Sequence, residues 1–137
     1  MNPNDRCVLL VEDDPDDQFF INRILHKAGI DRPTVTMNNG QSAIDYLSAA
    51  IAAERPDLLP FLIVTDLKMP LVNGIELCRW VRSKEALREV PLIVMSSSSL
   101  QRDIDAAMEA GATSFRQKFP QAGEVASLVE AHCGKRS

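Results

Sequence analysis

Apolar residues in this chain gather into short unbroken blocks, separated by stretches in which they recur every three or four positions. Cys7-Val8-Leu9-Leu10-Val11 ends abruptly in acids, the pattern of a strand covered on both faces of a parallel sheet. Beyond Pro15, residues Phe20, Ile21, Ile24, Leu25 and Ala28 repeat at helical spacing, and Gly29 stands where a helix would stop. Thr34 to Met37 is brief and β-prone, and Asn38-Asn39-Gly40 closes it with turn chemistry. A second helix is predicted from Gln41 to about Ala53, with Ala43, Ile44 and Leu47 facing inward. Glu54 to Pro60, holding Pro56 and Pro60, is a longer connection. Phe61 to Thr65 reads as a third strand, with Asp66 directly after it.

Ile75, Cys78 and Val81 predict a helix from about Gly74 to Lys84, and Leu92 to Met95, after Pro91, another buried strand. Four serines follow. Ile104, Ala107 and Met108 carry a fourth helix that stops at Gly111, Ser114 to Gln117 form a last strand, and Gly123 to His132 a last helix. Strict alternation of short apolar strands with helices implies an α/β fold: a doubly wound parallel sheet with helices on both faces, because each crossover is right-handed and packs back on the sheet. Ligands of such sheets bind at the carboxyl ends of the strands, near the point where strand order reverses.

Length and composition narrow the picture. A chain of 137 residues suits one compact domain, residues 1–137, with a single core. With 45% hydrophobic and 25% charged residues it has an ordinary globular composition. The apolar runs fall far short of the roughly 20 residues of a membrane-spanning helix, so no membrane contact is expected. The first residues lack the basic start and apolar run of a secretory signal, which predicts a cytoplasmic protein. Cys7, Cys78 and Cys133 show neither a C-x-x-C pair nor histidines at zinc spacing and read as buried or incidental thiols. A net charge of −4 and a pI near 5.1 argue against direct binding of nucleic acid.

The chemistry lies where strands end. Glu12-Asp13-Asp14 follows the first strand and Asp66 the third, so these carboxylates should converge at one edge of the sheet. At about 4 Å and an effective dielectric near 20, two like charges repel by roughly 4 kcal/mol, so a cation must be there. Oxygen ligands supplied from loops suit a hard divalent ion that keeps several waters, as Mg²⁺ does in phosphoryl-transfer sites. Lys118, after the fifth strand, offers an ammonium to Asp66 or to a phosphoryl oxygen, and Ser96, just past the fourth, a hydroxyl. A carboxylate in such company can attack phosphorus to give an acyl phosphate.

With these residues in view, the chain resembles the receiver domains of bacterial two-component response regulators over nearly its whole length. Leu10-Val11-Glu12-Asp13-Asp14, Thr65-Asp66-Leu67-Lys68-Met69-Pro70 with Asn73-Gly74, Ala110-Gly111-Ala112 and Lys118 stand in family order and spacing. The resemblance implies a flavodoxin-like (βα)5 domain with strand order 2-1-3-4-5. It makes Asp66 the phosphoacceptor, Asp13 a direct ligand of Mg²⁺, Glu12 a ligand through water, and the Lys68 backbone carbonyl the last protein ligand. Lys118 would bind the phosphoryl group, Ser96 would move towards it, and Phe115 would turn inward as the switch aromatic. Such a domain is a signalling switch that catalyses only its own phosphorylation and dephosphorylation. One departure stands out: the family usually has proline directly after the lysine, often through a cis peptide, whereas here the sequence is Lys118-Phe119-Pro120, which predicts a differently shaped loop.

The long segment before the third strand and the Met95-Ser96-Ser97-Ser98 run resemble stand-alone regulators paired with phytochrome histidine kinases. That likeness implies a light-sensing kinase, a bacteriophytochrome, as phosphodonor and a homodimer through the helix 4, strand 5, helix 5 face. No effector domain is expected, so output would come from binding, dimerisation or a phosphate-sink role. Rival classes fit less well. An aspartyl-phosphate phosphatase of the dehalogenase type wants a second acid two residues after the nucleophile, where this chain has Lys68, and a flavin-binding loop would not be acidic. No G-x-G-x-x-G, Walker or G-x-S-x-G motif occurs. His26 and His132 read as solvated helix residues, and Gln18 and Asn22, on the exposed side of the first helix, as positions for kinase recognition.

Overall fold

The computed structural model describes residues 6–133, with side chains through His132. Strands and helices alternate throughout: β1 (Val8–Val11), α1 (Pro15–Lys27), β2 (Thr34–Met37), α2 (Gly40–Ala52), β3 (Leu62–Thr65), α3 (Gly74–Ser83), β4 (Leu92–Ser96), α4 (Gln101–Glu109), β5 (Ser114–Gln117) and α5 (Ala122–Cys133). Short 3-10 turns at Pro56–Leu58 and Glu85–Leu87 fill the connections before β3 and β4. Each predicted element is present, with boundaries shifted by about one residue.

All strands are parallel, in the order β2-β1-β3-β4-β5. The chain starts at β1, passes to β2 on one side and returns across to β3 on the other, so the order reverses between β1 and β3. The register there pairs Val11 with Thr65, which sets the next residues, Glu12 and Asp66, side by side at the carboxyl end. That is the crevice such sheets offer to a ligand.

Side chains alternate across the strands and feed two cores. Leu9, Val11, Ile63 and Val94 pack with Leu47, Leu77 and Val81 on one face, while Val8, Leu10, Leu62, Val64, Ile93 and Met95 pack with Ile21, Leu25 and Val125 on the other. Burial of β1, β3 and β4 on both faces explains their unbroken apolar runs; the edge strand β2 alternates between exposed and half-buried positions.

Helices α1, α2 and α3 begin at side-chain caps. Asp14 accepts hydrogen bonds from the amides of Asp16 and Asp17, with Pro15 in the first turn of α1. Asn73 and Glu76 form a reciprocal capping box on α3. Gly29 and Gly111, with φ of 81° and 107°, follow the ends of α1 and α4, where a left-handed residue lets the chain turn away.

Two faces differ from expectation. Phe20 is 46% exposed, because the inward stripe of α1 runs through Ile21, Leu25 and Ala28 and leaves Phe20 beside it; its ring meets Phe119 instead, with centroids 5.6 Å apart. Met108 is likewise exposed, next to the buried Ala107. Cys7 and Cys78 are buried free thiols, and the side chain of Cys133 lies outside the described residues. His26 and His132 are exposed on their helices.

Candidate functional site

The carboxyl ends of β1 and β3 bring together the acids read from the sequence. One carboxyl oxygen from each of Glu12, Asp13 and Asp66 lies within 4.8 Å of the others. Asp14 is not part of this group; it caps α1, which fixes Glu12 and Asp13 as the pair turned into the pocket. Glu12 is fully buried and Asp66 9% exposed, whereas Asp13 is open to solvent.

Backbone hydrogen bonds hold each acid in register. The Asp66 amide donates to the Val11 carbonyl at 2.9 Å, and the Glu12 amide to the Met37 carbonyl at 2.9 Å. Asp66 Oδ1 accepts from the Leu67 amide at 2.8 Å, and Glu12 Oε2 accepts from the Asp14 amide at 3.1 Å. Gly74 closes the back of the pocket: a Cβ added there would lie 2.4 Å from the Asp66 carbonyl oxygen, so only glycine lets α3 approach the end of β3 this closely.

Lys118 enters from the end of β5. Its ammonium donates to Glu12 Oε1 and to Asp17 Oδ2, each at 2.7 Å, and stands 3.5 Å from Asp66 Oδ2. Its loop is tied to β4 by the bond from the Lys118 amide to the Ser96 carbonyl, at 2.8 Å. The Lys118–Phe119 peptide, one residue ahead of Pro120, is cis.

The electrostatics follow from burial. Loss of water drives the Glu12 carboxyl up to about 7, with the Asp66 charge adding to the shift and Lys118 and the Asp14 amide opposing it. Asp66 is raised for the same leading reason, against the pull of Lys118. Burial works against the charge on Lys118, but its bonds to Asp17 and Glu12 outweigh that and raise its pKa.

Three carboxylates, those of Glu12, Asp17 and Asp66, thus share one ammonium, and every donor atom of the acidic cluster is a hard oxygen. Two oxygens on one Mg²⁺ at about 2.1 Å are up to about 4.2 Å apart, so a spread within 4.8 Å needs only small side-chain rotations to hold such an ion.

The remaining sequence candidates occupy different settings. Ser96 ends β4, is 1% exposed, and its Oγ accepts from the Ser98 amide at 3.1 Å. Lys68 is exposed two residues beyond Asp66. Phe115 already packs in the core at 9% exposure. Gln18 is half-buried, and its amide donates to the Glu12 carbonyl at 2.7 Å and to Asn38 Oδ1 at 3.1 Å.

Asp17 was missed. It stands three residues after the Asp14 cap, where an acid reads as local helix capping, and nothing in the sequence couples it to a lysine 101 positions away.

Comparison with known proteins agrees with this geometry. The family model for the response regulator receiver domain matches residues 8–130. The two-component response regulator ARR6 of Arabidopsis thaliana is 32% identical over 133 residues, 95% of this chain and 70% of that protein. The chain spans 60 to 70% of three such Arabidopsis regulators. Among solved structures, the bacteriophytochrome response regulator AtBRR has a TM-score of 0.77 at 29% identity, covering 93% of this chain and 91% of that one. The receiver domain of the sensor histidine kinase PA1611 from Pseudomonas aeruginosa, solved with magnesium coordinated in its active-site cleft, has a TM-score of 0.73 at 26% identity, covering 95% and 98%. The chain belongs to the response regulator receiver domain family, the phosphorylation-dependent switches of two-component signalling.

Proposed function

We propose that Asp66 accepts a phosphoryl group from a sensor histidine kinase and that the altered contacts of the phosphorylated domain carry the signal onward. Glu12, Asp13, Asp66 and the Lys68 backbone carbonyl hold Mg²⁺, Lys118 binds the transferred oxygens, and Ser96 and Phe115 form the switch. The observation that carries this reading is the convergence of three carboxyl oxygens within 4.8 Å, with the Lys118 ammonium 3.5 Å from Asp66.

In the transfer an Asp66 oxygen attacks phosphorus. A P–O bond forms as the P–N bond of a phosphohistidine breaks, and the electron pair, then a proton, goes to the donor imidazole. The Leu67 amide fixes Oδ1, which orients the carboxylate, and Lys118 faces Oδ2. Bound Mg²⁺ supplies charge compensation for the transferring oxygens. Later attack of water on the acyl phosphate resets the domain, so its own dephosphorylation is the second reaction it performs.

The phosphoryl group carries roughly −1.5 to −2 charge units where the carboxylate carried about −1. Ser96 and Lys118 answer it from β4 and β5, and Phe115, on β5, transmits the change to the α4, β5 and α5 face. Exposed Leu100 and Met108 near α4 support a homodimer through that face. The likeness to a bacteriophytochrome response regulator supports a bacteriophytochrome as the kinase. Among the described residues no helix is long and apolar enough to cross a membrane; a cytoplasmic setting without nucleic-acid contact, in keeping with the net charge of −4, completes the proposal.

Incubation with acetyl phosphate and Mg²⁺, followed by intact mass measurement, tests it. One phosphate adduct on wild type and none on Asp66→Asn is expected. Equal labelling of both would overturn the assignment.

A further inference from the structure

Lys118 is held from two sides. Glu12 takes one of its three N–H bonds from β1, and Asp17 takes another from the first turn of α1, both at 2.7 Å. The third direction is left to Asp66 at 3.5 Å, where a phosphoryl oxygen would arrive. The lysine side chain is 8% exposed, so it is enclosed rather than swinging in solvent.

The two acceptors are not equivalent. Glu12 belongs to the group of carboxyl oxygens that can hold a metal ion, and Asp17 does not. Any ion bound beside Glu12 competes with Lys118 for that carboxylate, whereas the bond from Asp17 stays with the lysine. The position of Asp17 is itself fixed, because its amide donates to Asp14 Oδ1, which also caps the Asp16 amide.

We propose that Asp17 is a positioning residue: from α1 it holds the Lys118 ammonium at the mouth of the pocket, so that its free N–H points at the oxygens of a phosphoryl group on Asp66. This rests on the function proposed above. The pair joins positions 101 residues apart, linking α1 to the loop after β5 across the site. Position and charge pull in opposite directions here, since the Asp17 carboxylate would also repel an incoming phosphoryl dianion. Asp17→Asn removes the charge but keeps an oxygen acceptor for the lysine; Asp17→Ala removes both.

Beryllofluoride, a phosphoryl mimic, is titrated into wild type, Asp17→Asn and Asp17→Ala at saturating Mg²⁺ by calorimetry, with Mg²⁺ affinity measured separately. Asp17→Ala should bind beryllofluoride on the order of tenfold more weakly than wild type, the worth of one charge-assisted hydrogen bond, while Asp17→Asn recovers most of that loss. Mg²⁺ affinity should shift alike in both, because both lose the same charge. In a Lys118→Met background the difference between Ala and Asn should vanish, an outcome that general destabilisation would not produce. Equal beryllofluoride affinity for Ala and Asn, or tighter binding by Ala, would overturn the role of Asp17 alone. A wild type that takes neither beryllofluoride nor phosphate would overturn this role and the underlying function together.

Discussion

Lys118 Nζ and Glu12 Oε1 lie 2.7 Å apart, with side chains 8% and 0% exposed, although 106 residues separate them in the chain. Burial, the leading cause, lifts the Glu12 carboxyl from 4.5 to about 7, while Lys118 stays charged. A carboxyl with a raised folded pKa binds its proton more tightly folded than unfolded. Its contribution to stability is therefore complete below about pH 4.5 and is lost as the pH rises through about 7. In chelator-treated protein, the unfolding free energy of wild type relative to Glu12→Gln should fall between about pH 5 and pH 7, with a slope of at most about 1.4 kcal/mol per pH unit. Denaturant titrations across that range decide it, and a flat difference would contradict the assignment of the buried proton to Glu12.

Metal binding should run in the opposite sense. A divalent ion favours ionised carboxylates, so near pH 6, where Glu12 still holds its proton, Mg²⁺ has to displace it. Calorimetry in two buffers of different ionisation heat should show close to one proton released per Mg²⁺ near pH 6 and almost none above about pH 8. Groups that merely orient a ligand are worth about ten- to hundredfold in affinity; Asp13→Asn, which removes one of the proposed ligands, should lose no less and should abolish any rise in Tm on adding Mg²⁺. Proton release that does not change with pH would place Glu12 outside the reach of the ion.

How much of this was legible depends on whether the determinant is local. Val8–Val11 and Leu62–Thr65 are buried on both faces, so their apolar runs, and the acids that end them, could be read directly. The faces of α1 and α4 were harder, because Phe20 and Met108 each sit one position from the buried stripe, and helical spacing alone does not resolve a shift of 100°. Asp17 could not be read at all, and Gly74 stood out only as part of a motif, without the reason for it. Their roles come from contacts with Lys118 and with the Asp66 carbonyl, which exist only once the sheet has brought β5 and α3 against the pocket.

Gly74 stands on the boundary between stability and function. At an ordinary helix position glycine to alanine gains about 1 kcal/mol, but here the new methyl would lie 2.4 Å from the Asp66 carbonyl oxygen and 3.0 Å from Leu67 Cα. Both are backbone atoms, and the bond from the Gly74 amide to the Leu67 carbonyl, at 2.8 Å, keeps the segments together. Gly74→Ala should therefore destabilise by about 1–3 kcal/mol and slow labelling by acetyl phosphate, because relief of the clash moves the Asp66 backbone. A thermal melt and a labelling time course test the two halves separately, and a variant that melts higher than wild type would contradict the packing argument.

Arg82 closes the opposite end of the sheet. Its Nε donates to the Gly111 carbonyl at 2.8 Å, Nη1 to the carbonyls of Leu87, Arg88 and Val90 at 3.2, 3.0 and 2.7 Å, and Nη2 to Thr113 Oγ1 at 3.3 Å. Among the described residues it has no ion-pair partner, so carbonyl dipoles solvate the charge, and burial lowers its pKa. One planar fork thus ties α3 to the loops before β4 and β5, which a lysine, a single point charge, cannot reproduce. Arg82→Ala should cost about 2–4 kcal/mol through the carbonyls it strands, and Arg82→Lys should recover less than half. Gly111 shares this site: its φ of 107° disfavours any side chain, and a Cβ there would meet Arg82 Cγ at 2.5 Å. In Arg82→Ala the clash is gone while the backbone strain remains, so Gly111→Ala should cost less in that background than in wild type. Denaturant unfolding of the four proteins measures the coupling, and strict additivity would mean that the side chain of Arg82 does not restrict position 111.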